Sequence, residues 1–168
     1  SAARRIRRSP SAALPIWSPG RIRLRPQRPR VRKSEEERVS MSIKNGCFGF
    51  HIVFRVPNDD VARLDTFFET HQSFMRETHH VEGNLEPLVL TYAVLRGPEL
   101  NNPLDPESGD TGHTLFGITE IYRGPEGCQA HMELGQSREA MFSELMALAD
   151  QYMISGLMGV PVEYSMNS

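Results

Sequence analysis

The chain predicts an α+β fold of the ferredoxin-like kind, with elements in the order β-α-β-β-α-α-β around an antiparallel sheet. Three observations predict it. Residues 47–56 alternate strictly between apolar and mixed positions, as one strand does. Residues 58–78 repeat their apolar positions at helical spacing. Residues 114–134 then read as a strand, a tight turn and a helix in immediate succession.

In the first strand, Phe48, Phe50, Ile52, Phe54 and Val56 share one wholly apolar face. Cys47, Gly49, His51, Val53 and Arg55 share the other. Pro57-Asn58-Asp59-Asp60 forms the turn, with Asn58 as the expected N-cap and two aspartates at the positive helix end. The helix repeats Val61, Leu64, Phe67/Phe68, His71, Phe74/Met75 and Thr78. Residues 87–96 are the second strand, started by Pro87. Residues 97–113, with three prolines and three glycines, read as a long polar loop. Residues 114–123 are the third strand. Pro125 suits the first turn of a helix running to Leu134. Ser137 is expected to cap a further helix with Met141, Leu145, Leu148 and Tyr152 on one stripe, ending near Gly156. Residues 157–166 are the last strand, in which Pro161 implies an edge or a bulge.

Charge divides the chain into an arm, residues 1–40, and a domain, residues 41–168. Eleven of the 19 basic residues lie within residues 1–34, where no acidic residue occurs. The other 8, with all 21 acidic residues, leave the rest of the chain at a formal charge of −13. The arm is rich in Arg, Pro and Ser, and Pro10, Pro15, Pro19, Pro26 and Pro29 exclude a long helix, so disorder is expected. Four readings of it stay open: a non-native leader ahead of Met41, a mitochondrial-type transit segment, a docking arm, or a segment binding an acidic partner. Nucleic acid is disfavoured because Trp17 is the arm's only aromatic residue. No run of about 18 apolar residues predicts a membrane span. Cys47 and Cys128 cannot form a disulfide framework and read as small buried hydrophobes. A cytoplasmic location is expected, or a mitochondrial one if the arm is a transit segment.

The chemistry concentrates in Phe116-Gly117-Ile118-Thr119-Glu120-Ile121-Tyr122-Arg123, followed by a helix carrying Ala130 and His131. Period two puts Glu120 and Tyr122 on one strand face, so one strand–helix unit supplies a carboxylate, a phenol and an imidazole. His71, Met75 and His79 share one face of the first helix. His71 and His79 are about 12 Å apart along its axis, too far for one ion, and no carboxylate cluster is evident to complete a set, so no metal is expected. Candidate acid–base residues are His71, His79, His131 and Glu120; candidate ligand-binding residues are His51, Tyr92, Tyr122 and Arg76. No Gly-rich phosphate loop, Gly-x-Ser-x-Gly elbow or Cys-x-x-Cys pair is present, and no cofactor is called for.

The Glu-x-Tyr-Arg strand end and the Ala130-His131 helix resemble those of antibiotic biosynthesis monooxygenase-like domains, in the dimeric α+β barrel superfamily. Gly124-Pro125 stands where those domains carry an acidic turn residue. The stretch from His71 to His79, with Tyr92, resembles an uncharacterised branch of the same superfamily. The resemblance covers roughly residues 47–166. It implies a homodimer whose sheets close into a barrel, as the exposed sheet face of a four-stranded monomer also favours. It further implies a cofactor-independent monooxygenase-like oxidoreductase acting on a small aromatic or quinol-type substrate. In it a pocket histidine would deprotonate a phenol, and Tyr92 and Tyr122 would bind the ring. Haem-degrading relatives use a pocket tryptophan, which the domain lacks. A non-catalytic dimeric binding or assembly protein, or an isomerase or lyase on the same scaffold, are the alternatives.

Overall fold

A computed structural model describes residues 42–167. The expected readings of the arm, Trp17 and Met41 lie outside the described residues. The elements are β1 (Phe48–Pro57), a 3-10 turn (Asn58–Asp60), α1 (Val61–Thr78), β2 (Val89–Leu100), β3 (Asp110–Tyr122), α2 (Pro125–Ser137), α3 (Glu139–Tyr152) and β4 (Met153–Pro161). The four strands form one antiparallel sheet in the order β2-β3-β1-β4. An α+β chain with this sheet and three helices is compatible with a ferredoxin-like fold. No helix among the described residues is long and apolar enough to cross a membrane.

The apolar face of β1 does what its period implies. Phe50, Ile52, Phe54 and Val56 are buried, and the residues between them are half-buried. Ile52, Phe54 and Val56 pack with Leu64, Phe67 and Phe68 of α1, Phe116 and Ile118 of β3, and Leu148 and Tyr152 of α3. A second cluster, with Phe50, Phe74, Met75, Val89, Tyr122 and Cys128, adjoins it. Cys47 and Cys128 are both free and buried.

Four boundaries differ from expectation. Residues 97–113 are not one loop: β2 continues to Leu100 and β3 begins at Asp110. Pro98 is tolerated because β2 is an edge strand, and Asn101 and Ser108 close the turn with side-chain bonds to backbone. Asn58 does not cap α1; its Oδ1 accepts from the Thr114 hydroxyl instead. Ser137 ends α2 and its hydroxyl donates to the Leu134 carbonyl, so it caps no helix start. The last strand starts at Met153, not 157, directly after α3. Tyr152 stops that helix against α1, donating to Asp60 at 2.8 Å. Pro161 does lie on an edge strand. A bulge separates the Gly49–Val160 and His51–Leu157 pairs, and within it Gly159 has φ +63°, a conformation that suits glycine.

Leu64 is fully buried between α1 and the sheet. Leu64→Ala should cost about 2–5 kcal/mol in urea unfolding. Leu104→Ala, 93% exposed in the hairpin turn, should stay within about 0.5 kcal/mol of the parent.

Candidate functional site

Glu120 sits at the middle of the sheet, with Phe50 of β1 on one side and Tyr92 of β2 on the other. Directly paired residues share a sheet face, and here that face lies under the helices. Helix α1 buries His71, Phe74 and Met75 on the same side, at the spacing of one helix face. His79 follows α1 at its C-cap, its backbone N–H bonded to the Met75 carbonyl. Helix α2 contributes His131. Two glycines allow this closeness. A Cβ at Gly49 would lie 2.4 Å from the Glu120 carbonyl oxygen, and one at Gly127 would lie 2.9 Å from Cβ of Tyr122.

The result is a polar cluster inside the apolar core. Glu120 is 3% exposed, His71 5% and His131 9%. The Tyr122 hydroxyl donates to Glu120 Oε2 at 2.7 Å. His131 Nε2 lies 3.5 Å from Glu120 Oε2, and His71 Nε2 lies 3.6 Å from Oε1. The outer nitrogens of both rings are engaged. His71 Nδ1 meets the Tyr92 hydroxyl at 3.2 Å, and His131 Nδ1 meets His79 Nε2 at 3.0 Å. His79 Nδ1 is 2.8 Å from the Thr78 hydroxyl, which donates to the Phe74 carbonyl.

This chain assigns the tautomers. Thr78 gives its one hydrogen to Phe74, so His79 carries its proton on Nδ1. Its Nε2 then accepts from His131 Nδ1–H, and His131 Nε2 turns a lone pair toward Glu120.

Burial sets the charges. It pushes the Glu120 carboxyl up to about 7, although the Tyr122 hydrogen bond pulls the other way. It lowers His71 and His79 to about 4, with smaller contributions from His79 and His80 respectively, and His131 to about 3 with help from His71 and His79. Tyr92 and Tyr122 are raised by burial and by Glu120. Burial and Glu120 also raise Cys128 to about 12, leaving the thiol inert. The imidazoles are therefore neutral at pH 7, and their contacts with Glu120 are not ion pairs. Glu120 is the group in the cluster that titrates near neutrality. The Tyr122 oxygen also lies 3.3 Å from Nε2 of the partly exposed His79, but with its hydrogen given to Glu120 it makes only a close contact there.

A cavity of about 100 Å³ opens beside the cluster. Phe50, Phe54, Phe67 and Phe142 line it, with Met146 and Met158 at its margin and His71, Glu120 and His131 at one end. A wider groove of about 520 Å³ runs outside, between α1 and β2, lined by residues that include Phe68, Gln72, Tyr92 and Arg96. Tyr92 belongs both to this groove and, through His71, to the cluster.

Of the eight candidate residues, the fold brings six together: His71, His79, His131, Glu120, Tyr92 and Tyr122. His51 lies on the other sheet face, bonded to the Thr119 hydroxyl at 2.9 Å. Arg76 is exposed on α1, and only its charge reaches Tyr92. Helix spacing alone offered no carboxylate for a metal set, but β3 supplies one. His71, Glu120 and His131 place one ligand atom each within 4.8 Å of one another. The aromatic cavity wall and the role of Thr78 were not anticipated; the apolar face of β1 was the available signal for the wall. Comparison with family models, with curated proteins and with solved structures finds no match to this chain.

A carboxyl raised on folding binds its proton more tightly in the folded state. Its contribution to stability is full below the unfolded value near 4.5 and is lost as pH rises through about 7. The stability of the parent relative to Glu120→Gln should therefore fall between about pH 5 and 7 and level off above. Urea titrations in the presence of chelator at several pH values measure this difference, in which the histidine contributions cancel.

Proposed function

We propose that this domain is a small-molecule enzyme of the monooxygenase-like type, acting on a compact aromatic substrate with an acidic C–H or phenolic O–H. The observation that carries the reading is a buried carboxyl, titrating near neutrality, at the polar end of a Phe-lined cavity. An apolar pocket with a few convergent polar groups is the usual form of such a site. A cavity of about 150 Å³ holds benzene, so the smaller space here takes one ring only as the pliable Met146 and Met158 move aside.

Glu120 is the proposed proton acceptor. This moves the role away from the three histidines, whose lowered values make them poor bases at pH 7. The Tyr122 hydroxyl holds the carboxylate by its hydrogen bond. For an activated methylene, one molecule of dioxygen turns the methylene carbon into a ketone carbonyl and releases one molecule of water. The substrate loses its proton to Glu120 and supplies all the electrons. One oxygen atom ends in the ketone and the other in water.

The reading includes a homodimer. Leu95 is 68% exposed, Leu157 55% and Val160 37%, and all three belong to the two edge strands. Leu157 and Val160 pair with His51 and Gly49, on the face away from the helices. An uncovered apolar face of this kind favours association.

Oxygen uptake by the as-isolated protein with hydroquinones, catechols and single-ring compounds bearing an activated methylene tests the chemistry. Turnover is expected with at least one class, reduced about 10²–10⁴-fold in Glu120→Gln. Uptake unaffected by that substitution would sink the assignment. Light scattering tests the assembly: a mass near twice 19.0 kDa is expected, shifting toward one copy in Leu157→Arg. A parent protein that remains a monomer would remove the dimer from the reading.

A further inference from the structure

We infer that His71, Glu120 and His131 form a binding site for one divalent transition-metal ion of the zinc or ferrous class. The geometry points there by three independent features. Nε2 of His131 and Nε2 of His71 stand 3.5 and 3.6 Å from the two oxygens of Glu120. These separations are long for hydrogen bonds. Each is close to the spacing of about 3.4 Å between ligands that lie about 2.0–2.1 Å from a shared tetrahedral ion, and one ligand atom from each of the three residues falls within 4.8 Å of the others.

The ligand set is the second feature. Two imidazoles and one carboxylate suit zinc, or iron with open positions, and three protein ligands leave room for a further one. All three ligands also line the Phe-rich cavity.

The third feature is the outer shell. Metal-binding imidazoles are held at their second nitrogen, and ligating carboxylates are themselves hydrogen-bonded. Here His131 is held by His79, His71 by Tyr92 and Glu120 by Tyr122. The His79 ring is fixed in turn by Thr78. An ion would supply the positive charge that a carboxyl buried among neutral rings otherwise meets only with a proton. A Glu120 bound to the ion would not accept a proton, so the metal-loaded and proton-accepting forms are alternatives. The inference uses the proposed reacting end of the pocket but depends on no turnover.

The test is a titration of the full chain, stripped with chelator, with Co2+ and separately with Zn2+. One equivalent of Co2+ should bind with a Kd of about 1 µM or tighter and give visible d–d absorption that Zn2+ displaces. His71→Ala, Glu120→Gln and His131→Ala should each weaken binding by about 100-fold or more, and His79→Ala by about 10–100-fold. His113→Ala, whose ring contacts Arg55 on another part of the sheet, should leave binding unchanged. Circular dichroism checks each variant's fold. Cobalt-induced shifts of the His71 and His131 ring protons in the parent protein give the same answer without any substitution. No binding of either ion, binding that survives all three ligand substitutions, or rings left unshifted would each overturn the inference. Because the readout is binding, its failure leaves oxygen uptake to be judged separately, and the reverse holds.

Discussion

A single carboxyl inside an aromatic core is the constraint around which this domain is arranged. Burying an ionised carboxylate without compensation costs many kcal/mol. Glu120 meets that demand with a 2.7 Å bond from Tyr122 and a raised affinity for its proton. The surroundings follow from this. Gly49 lets β1 lie against the Glu120 backbone, and Gly127 lets α2 lie against Tyr122, so that His131 reaches the carboxyl. A side chain at either glycine would push one wall of the cluster outward.

The same constraint explains why the histidines are neutral yet orderly. Each ring packs against aromatic neighbours: His71 stacks on Phe67 at 5.8 Å, and Phe74 meets His79 edge-on at 5.5 Å. Burial removes their charge, and hydrogen bonds then fix their orientation. Helix α1 serves both ends of this arrangement. Its middle turn presents His71, and its last residue, Thr78, anchors the chain that runs through His79 to His131. Packing, electrostatics and the pocket's polar end are thus set by the same few residues. Chemistry requires that combination, because a loosely held acid–base group cannot be aimed.

Part of this was legible in the sequence. The β1 and α1 patterns were clear because each has one wholly apolar face, and the pairing of Glu120 with Tyr122 followed from strand parity. The β2–β3 hairpin was hidden because its outer half is held by backbone bonds and polar turn residues, which leave no apolar period. The start of β4 was hidden by Gly156, which reads as a helix end but pairs with Ile52 in the sheet. Convergence of His71, His79 and His131 on Glu120 depends on sheet register and helix packing. Neither can be computed from the spacing of histidines along one helix, so that spacing suggested two rings too far apart instead of two rings meeting a third element. His51 was placed by its parity with Val53 and Arg55 on the face away from the helices, where it does lie, while the polar cluster formed on the face under the helices.

Neutral imidazoles, oriented through Thr78 and His79, face a buried Glu120. Long-range 1H–15N correlation spectra of the histidine rings in metal-free protein at pH 7 test this arrangement most directly. His79 and His131 should both be neutral and protonated on Nδ1, unchanged on acidification to about pH 5 given values near 4 and 3. A charged ring at pH 7, or His131 protonated on Nε2 toward Glu120, would contradict it.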